Sequence, residues 1–365
     1  MKKLSLILVL TMVIGLLAGC AGTPVIYYTE CTCPANHVAD APAVNAPAVD
    51  APVVDAPVVE GALKTGLCIS ASVKKSVAAT ADAAGKADYD VTMVAVLVDD
   101  NGVIQQCIID GIAASVAIDA KGALPAELPQ IQTKNELGDA YNMVAYGGAI
   151  AEWDAQAAAL AAFAVGKTAE ELRNGAIDET GYAPEGSDRA SSATIYLGGY
   201  VAAIEAAAAS AQHLGAQAGD ELKLASVNSV GSSAAATAEK DGNAQLDSTV
   251  AALTVKDGVI TSCVIDAVQA KVAFNTAGEI TSDITAPVQT KTQLGDAYNM
   301  VAYGGAIAEW YEQAASFAAY VTGKTLDQVS GIAVDENNKP AEADLVTSVT
   351  IKIGDFQKLI EKAMQ

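Results

Sequence analysis

Two short segments each end in a threonine set among small residues: Asp188-Arg-Ala-Ser191-Ser192-Ala193-Thr194 and Asp344-Leu-Val-Thr347-Ser348-Val349-Thr350. A helical pattern follows each one, so Thr194 and Thr350 are expected just before a helix N-terminus. Unpaired backbone N–H groups and the positive end of the helix dipole favour a phosphate at such a place. Small neighbours such as Ser192 and Ala193 let a phosphate approach the backbone. A second candidate is the loop L-G-D-A-Y-N-M, which occurs twice. Its Asp139, Tyr141, Asn142 and Met143, and again Asp296, Tyr298, Asn299 and Met300, are residues able to line a pocket against a flat ring or another ligand.

Other chemistries are poorly supported. Gly-Lys-Thr at 166–168 and 323–325 lacks the earlier glycine of a phosphate-binding P-loop, because Ala161 and Ala318 stand there. It also ends a helical pattern where a P-loop would open one, so the glycine reads as a helix C-cap. The chain has 2 histidines and no metal-ligand spacing, which argues against histidine triads and zinc sites. Asp139 and Asp296 have no titratable neighbour in sequence and make a weak acid–base pair. A net charge of −22 opposes the counterion release that drives nucleic-acid binding. Cys107 and Cys263 each lie in an apolar run and are expected to be buried thiols. Cys31-Thr-Cys33 is too closely spaced for easy bridging and has no assigned role.

The elements that must position these residues are written twice. Residues 132–153 and 289–310 agree at 20 of 22 positions, with 17 consecutive identities over LGDAYNMVAYGGAIAEW. The match extends outward at an offset of 156 to 157 residues. That period is too long for a solenoid, so each copy is a whole domain, 63–218 and 219–365. In each copy two apolar strands flank an Asn-Gly or Asp-Gly turn: 90–98 and 103–110, then 248–255 and 259–266. A long Ala-rich helix is expected at about 149–165 and 306–321. Tyr146 and Trp153 would then share one face of it, as core residues. A short charged helix, a loop and a final helix at about 197–212 and 354–362 complete the unit. Strands first and helices later indicate an α+β fold, with an antiparallel sheet and helices in each of two tandem domains.

Lys2 and Lys3 precede an apolar run ending in Leu17-Ala18-Gly19-Cys20. This reads as a signal peptide over 1–19, and the ending resembles the bacterial lipobox. The resemblance implies that Cys20 is lipidated and holds the protein to the outer face of a membrane or cell envelope. Residues 20–62 then form the anchor and an Ala/Pro/Val spacer. Its five-residue DAPAV-type repeats favour an extended path of roughly 60 Å.

The two threonine segments resemble the closing motif, approximately Asp-x-x-Ser/Thr-Gly-Ala-Thr, of the FMN-binding domain family. That family occurs in subunits of sodium- and proton-linked respiratory complexes and in bacterial surface flavoproteins. The resemblance implies FMN esterified by a flavin transferase to Thr194 and Thr350. Asp188, Ser191, Ala193, Asp344 and Thr347 would then shape the acceptor site, and the protein would be an electron carrier serving an envelope redox partner. The family glycine is Ser192 and Ser348 here, and the family alanine is Val349 in the second copy. The alternative is a non-redox surface lipoprotein whose tandem domains serve structure, adhesion or ligand binding, with the serines and threonines acting as caps.

Overall fold

The computed structural model describes residues 61–365, apart from 189. The signal segment, Cys20, the spacer, Cys31 and Cys33 lie outside the described residues. Copy 1 begins with a three-stranded antiparallel meander, β1 (Lys64–Ser72), β2 (Gly85–Val98) and β3 (Ile104–Ile118). Five helices follow: α1 (Lys134–Leu137), α2 (Met143–Gly147), α3 (Trp153–Ala164), α4 (Ala169–Ala176) and α5 (Gly198–Ala209). Copy 2 repeats the meander as β4 (Glu221–Ser229), β5 (Gly242–Lys256) and β6 (Val259–Phe274). Its helices are α6 (Lys291–Leu294), α7 (Met300–Gly304), α8 (Trp310–Val321), α9 (Leu326–Ser330), α10 (Ala343–Val346) and α11 (Gly354–Met364). The fold is α+β, as expected, with one sheet-and-helix unit per copy.

The hairpins form where the turn residues demand, but the strands run further than their apolar cores. In copy 2, Asp257 and Gly258 take φ of 51° and 77°, the left-handed pair that joins two twisted strands in a two-residue turn. Copy 1 has a longer turn, in which the Asp99 carboxylate accepts from the N–H groups of Asn101 and Val103 at 2.9 Å. This extra residue is the reason the offset between copies falls from 157 to 156.

The two sheets pack face to face, and helices cover their outer faces. Along β2 the side chains alternate between these layers. Val94, Val96 and Val98 enter the core shared with α3 and α5, Ala95 and Leu97 face copy 2, and Tyr89, Val91 and Met93 do the same further down the strand. Burial on both faces explains why β2 reads as an almost unbroken apolar run. The inter-copy core joins Ile69, Met93 and Ile112 to Leu246, Val268 and Phe274.

Polar contacts fix the register between copies with approximate two-fold symmetry. Gln106 of β3 donates to the Asp220 carbonyl at 2.7 Å and accepts from the Leu222 N–H at 2.9 Å. At the matching place Ser262 of β6 bonds the Thr65 hydroxyl at 2.7 Å, and both are buried. The turn carbonyl of Gly122 accepts from Ala236 N–H at 2.8 Å, and that of Gly278 accepts from Ala79 N–H at 2.9 Å. Lys362 of α11 crosses to pair with Glu136 of α1.

Candidate functional site

The Gly-Lys-Thr segments connect two helices. Gly166 and Gly323 take φ of 80° and 85°, ending α3 and α8 in the left-handed region. Lys167 donates to the Phe163 carbonyl at 2.7 Å, and Thr168 caps α4 reciprocally with Glu171. In copy 1 all three residues are therefore spent on helix ends.

The end motifs are tied down by a glutamine that sequence reading did not single out. Gln156 of α3 is fully buried, and its Oε1 accepts from Thr194 N–H at 2.8 Å and Ile195 N–H at 3.2 Å. Its Nε2 donates to the Ala151 carbonyl at 2.8 Å. Gln313 of α8 repeats this with Thr350, Ile351 and Ala308 at 2.8, 3.2 and 2.7 Å. The N–H groups expected to await a phosphate are thus bonded internally. Further along, Leu197 and Gly198 at the start of α5 donate to the Gly181 carbonyl, and Ile353 donates to that of Asn338. Ala193 and Val349 point into their cores, so the valine in copy 2 is a packing residue. The hydroxyls of Ser191 and Thr347 donate to the carbonyls of Asp188 and Asp344, closing local turns. Thr194 itself is exposed, and Thr350 is half-buried.

The duplicated loop forms the same structure in both copies. Thr133 and Thr290 cap α1 and α6 with reciprocal bonds from Glu136 and Gln293. A 3₁₀ turn carries Asp139 to Tyr141, and Asn142 and Asn299 then take φ of 64° before α2 and α7. The Glu152 carboxylate accepts from the N–H groups of Met143 and Val144 at 2.8 and 3.0 Å, and Glu309 does the same for Met300 and Val301. Asp139 and Asp296 lie exposed on the turn, and Asp296 accepts from the Tyr311 hydroxyl at 3.3 Å.

The expectation that Tyr146 and Trp153 share a helix face is overturned. Gly148, with φ of 62°, stops α2, and α3 starts afresh at Trp153. Tyr146 is 89% exposed and Tyr303 88%, whereas Trp153 and Trp310 are buried. The long helices accordingly begin at 153 and 310, four residues later than the Ala-rich pattern suggested. A Cβ added at Gly147 or Gly148 would meet nothing within 4 Å, so these glycines serve the turn and no close approach.

Under each loop lies a lysine. Lys134 Nζ sits 4.8 Å from the Trp153 ring centroid and 5.5 Å from that of Tyr141. Lys291 Nζ lies 4.7 Å from Trp310 and 5.0 Å from Tyr298. Burial lowers the pKa of both lysines, and the aromatic faces partly offset that desolvation. Asp110 and Asp266, beside the start of α1 and α6, are shifted up by burial, against backbone N–H bonds that pull them down. The visible signal for this arrangement was the Gln-Thr-Lys opening of the repeated segment. Tyr141 and Tyr298 are thus brought to a lysine and a tryptophan. Among the described residues, no hydrogen bond or ion pair joins Asp139, Tyr141, Asn142 or Met143 to Thr194. The connection runs through α3, which carries Trp153 under the loop and Gln156 under the threonine.

Cys263 is buried as expected, whereas Cys107 is only partly buried, packed against the copy 1 core; burial pushes both thiols up to about 12. Cys68 is buried as well. Among the described residues no group of three His, Cys, Asp or Glu side chains is placed to hold a metal ion. No helix among them is long and apolar enough to cross a membrane. Compared with known proteins, the chain matches no family model, no curated protein and no solved structure.

Proposed function

We propose that the chain is a lipid-anchored, extracytoplasmic binding protein built from a duplicated α+β unit, and that its end motifs serve the fold and carry no flavin. The observation behind this reading is the pair of buried glutamines. In both copies a neutral amide oxygen takes the two N–H groups beside the acceptor threonine, leaving them without capacity for a phosphate. The sequence Leu17-Ala18-Gly19-Cys20 and the proline-rich spacer support tethering. The loop tips support binding. Val144, Tyr146 and Ile150, with Val301, Tyr303 and Ile307, stay exposed on braced turns of identical sequence, where packing makes no demand on their identity.

The rival reading, electron transfer through FMN on Thr194, draws on the exposure of that residue. Co-expression of the full chain with a flavin transferase separates the two readings. After denaturation, neither flavin fluorescence nor an FMN-sized mass gain is expected. A covalent flavin that disappears in Thr194→Ala or Thr350→Ala would overturn the binding-protein reading and make the chain an electron carrier.

A further inference from the structure

The aromatic-capped lysine is common to both copies, but its surroundings are not. In copy 2 it borders a half-open cavity of about 210 Å³, lined chiefly by Gln269, Lys271, Gln289, Lys291, Leu294 and Tyr298. This is smaller than the ~300–1,000 Å³ of sites for drug-sized ligands. The lining holds two lysines and no carboxylate. Among the described residues neither ammonium has an ion-pair partner. The carboxylate that acts most strongly on Lys291, Asp247, is already held by Ser232 Oγ at 2.6 Å, Gln245 Nε2 at 2.6 Å and Gln269 Nε2 at 2.8 Å. Gln269 in turn accepts from the Tyr298 hydroxyl at 3.3 Å, which fixes one wall.

Copy 1 pairs its second lysine internally. At the positions matching Gln269 and Lys271 it has Ala113 and Ser115. Its second lysine, Lys75, comes from the β1–β2 connection and pairs with Asp90 at 2.7 Å. Copy 2 has Ser232 where copy 1 has Lys75, and has moved the cation to β6, where it is left without an anion.

We propose that the copy 2 cavity binds a small dianion bearing carboxylate or phosphate oxygens, held between Lys271 and Lys291. The site stands apart from the threonine motifs, so this inference holds whether or not flavin is attached. A bound dianion supplies the charge partner that both lysines lack, and charge-assisted bonds to ammonium groups are the stronger kind. The acidity of the whole chain opposes the approach of anions, so affinity must come from these short-range contacts.

Calorimetric titration of the full chain with succinate, with inorganic phosphate and with uncharged succinamide tests the proposal. The expected result is saturable binding of succinate, phosphate or both at one site per chain in the millimolar range or tighter, with no binding of succinamide. Either anion binding alone meets the expectation and identifies the oxyanion preferred. Lys271→Ser, which installs the copy 1 residue at an exposed position and leaves folding untouched, is expected to weaken binding at least about tenfold. Lys75→Ser is expected to leave it unchanged. No heat with either anion, equal binding of succinamide, two sites per chain, or full affinity in Lys271→Ser would each overturn the proposal.

Discussion

The two copies share their sheets, their loops and the glutamine brace, yet close their outer cores with different chemistry. Copy 1 uses the Ala-rich α5, GGYVAAIEAAAA, whereas copy 2 uses α11, GDFQKLIEKAM. Small side chains let α5 approach β1 so closely that a Cβ on Gly66 would lie 2.0 Å from the Ala207 carbonyl oxygen. The matching residue of β4 is Lys223, so α11 makes no such approach. Copy 2 fills this layer with rings: Phe356 packs at 5.9 Å on Trp310 and 5.2 Å on Phe317. In copy 1, Leu160 stands where Phe317 does, and Tyr200 meets Trp153 at 5.7 Å with a 3.0 Å bond from the indole N–H. A sheet and loop can therefore be kept constant while helix spacing follows side-chain volume, because interiors must be filled at near-crystalline density.

The sharpest way to break this comparison is Gly66→Ala. It forces backbone against backbone and is expected to cost about 3 kcal/mol, read as a lowered urea midpoint, whereas Lys223→Ala stays within about 0.5 kcal/mol. Equal losses at the two sites would mean that the close approach of α5 does not matter. Gln156→Ala and Gln313→Ala probe what the copies share. Each strands two backbone N–H groups, and an equal cost of about 2–3 kcal/mol is expected in urea denaturation. A cost confined to one copy would show that the brace supports only that copy.

A smaller loss than at the glutamines belongs to Tyr200→Phe, which makes copy 1 resemble copy 2 and leaves the Trp153 N–H without its acceptor, at about 1 kcal/mol. Burial pushes the Tyr200 phenol up to about 12, above its ordinary value near 10. The group therefore favours the folded state while neutral, and its contribution is lost as pH rises from the unfolded value through the folded one. The wild-type chain should lose stability over that alkaline interval more steeply than Tyr200→Phe, as urea denaturation at pH 9 and 11 would reveal.

Legibility followed the range of the interactions involved. The duplication, the hairpins, the final helices and the capping role of Gly166 and Gly323 were readable because each depends on residues a few positions apart. Alanines continue the apolar pattern across Gly147-Gly148, so the pattern alone carries the long helices too far toward their N-termini. Only the left-handed turn at Gly148 and the Glu152 carboxylate on the α2 N–H groups show where the chain breaks. The threonine motifs are legible, but the glutamines that occupy their N–H groups lie 37 to 39 residues away, on helices whose apolar pattern does not mark them out.

By itself, then, the sequence determined that there are two related α+β units, where their strands turn and where their helices stop, since backbone sterics and caps act locally. Tertiary structure alone decided that the two sheets would bury each other and that Tyr146 and Tyr303 would stand exposed. It also decided that Gln156 and Gln313 would take the N–H groups beside Thr194 and Thr350, and that Lys271 would remain unpaired while Lys75 found Asp90. Each of these outcomes depends on which side chains meet after distant segments pack, and on the cost of leaving a buried charge or N–H without a partner.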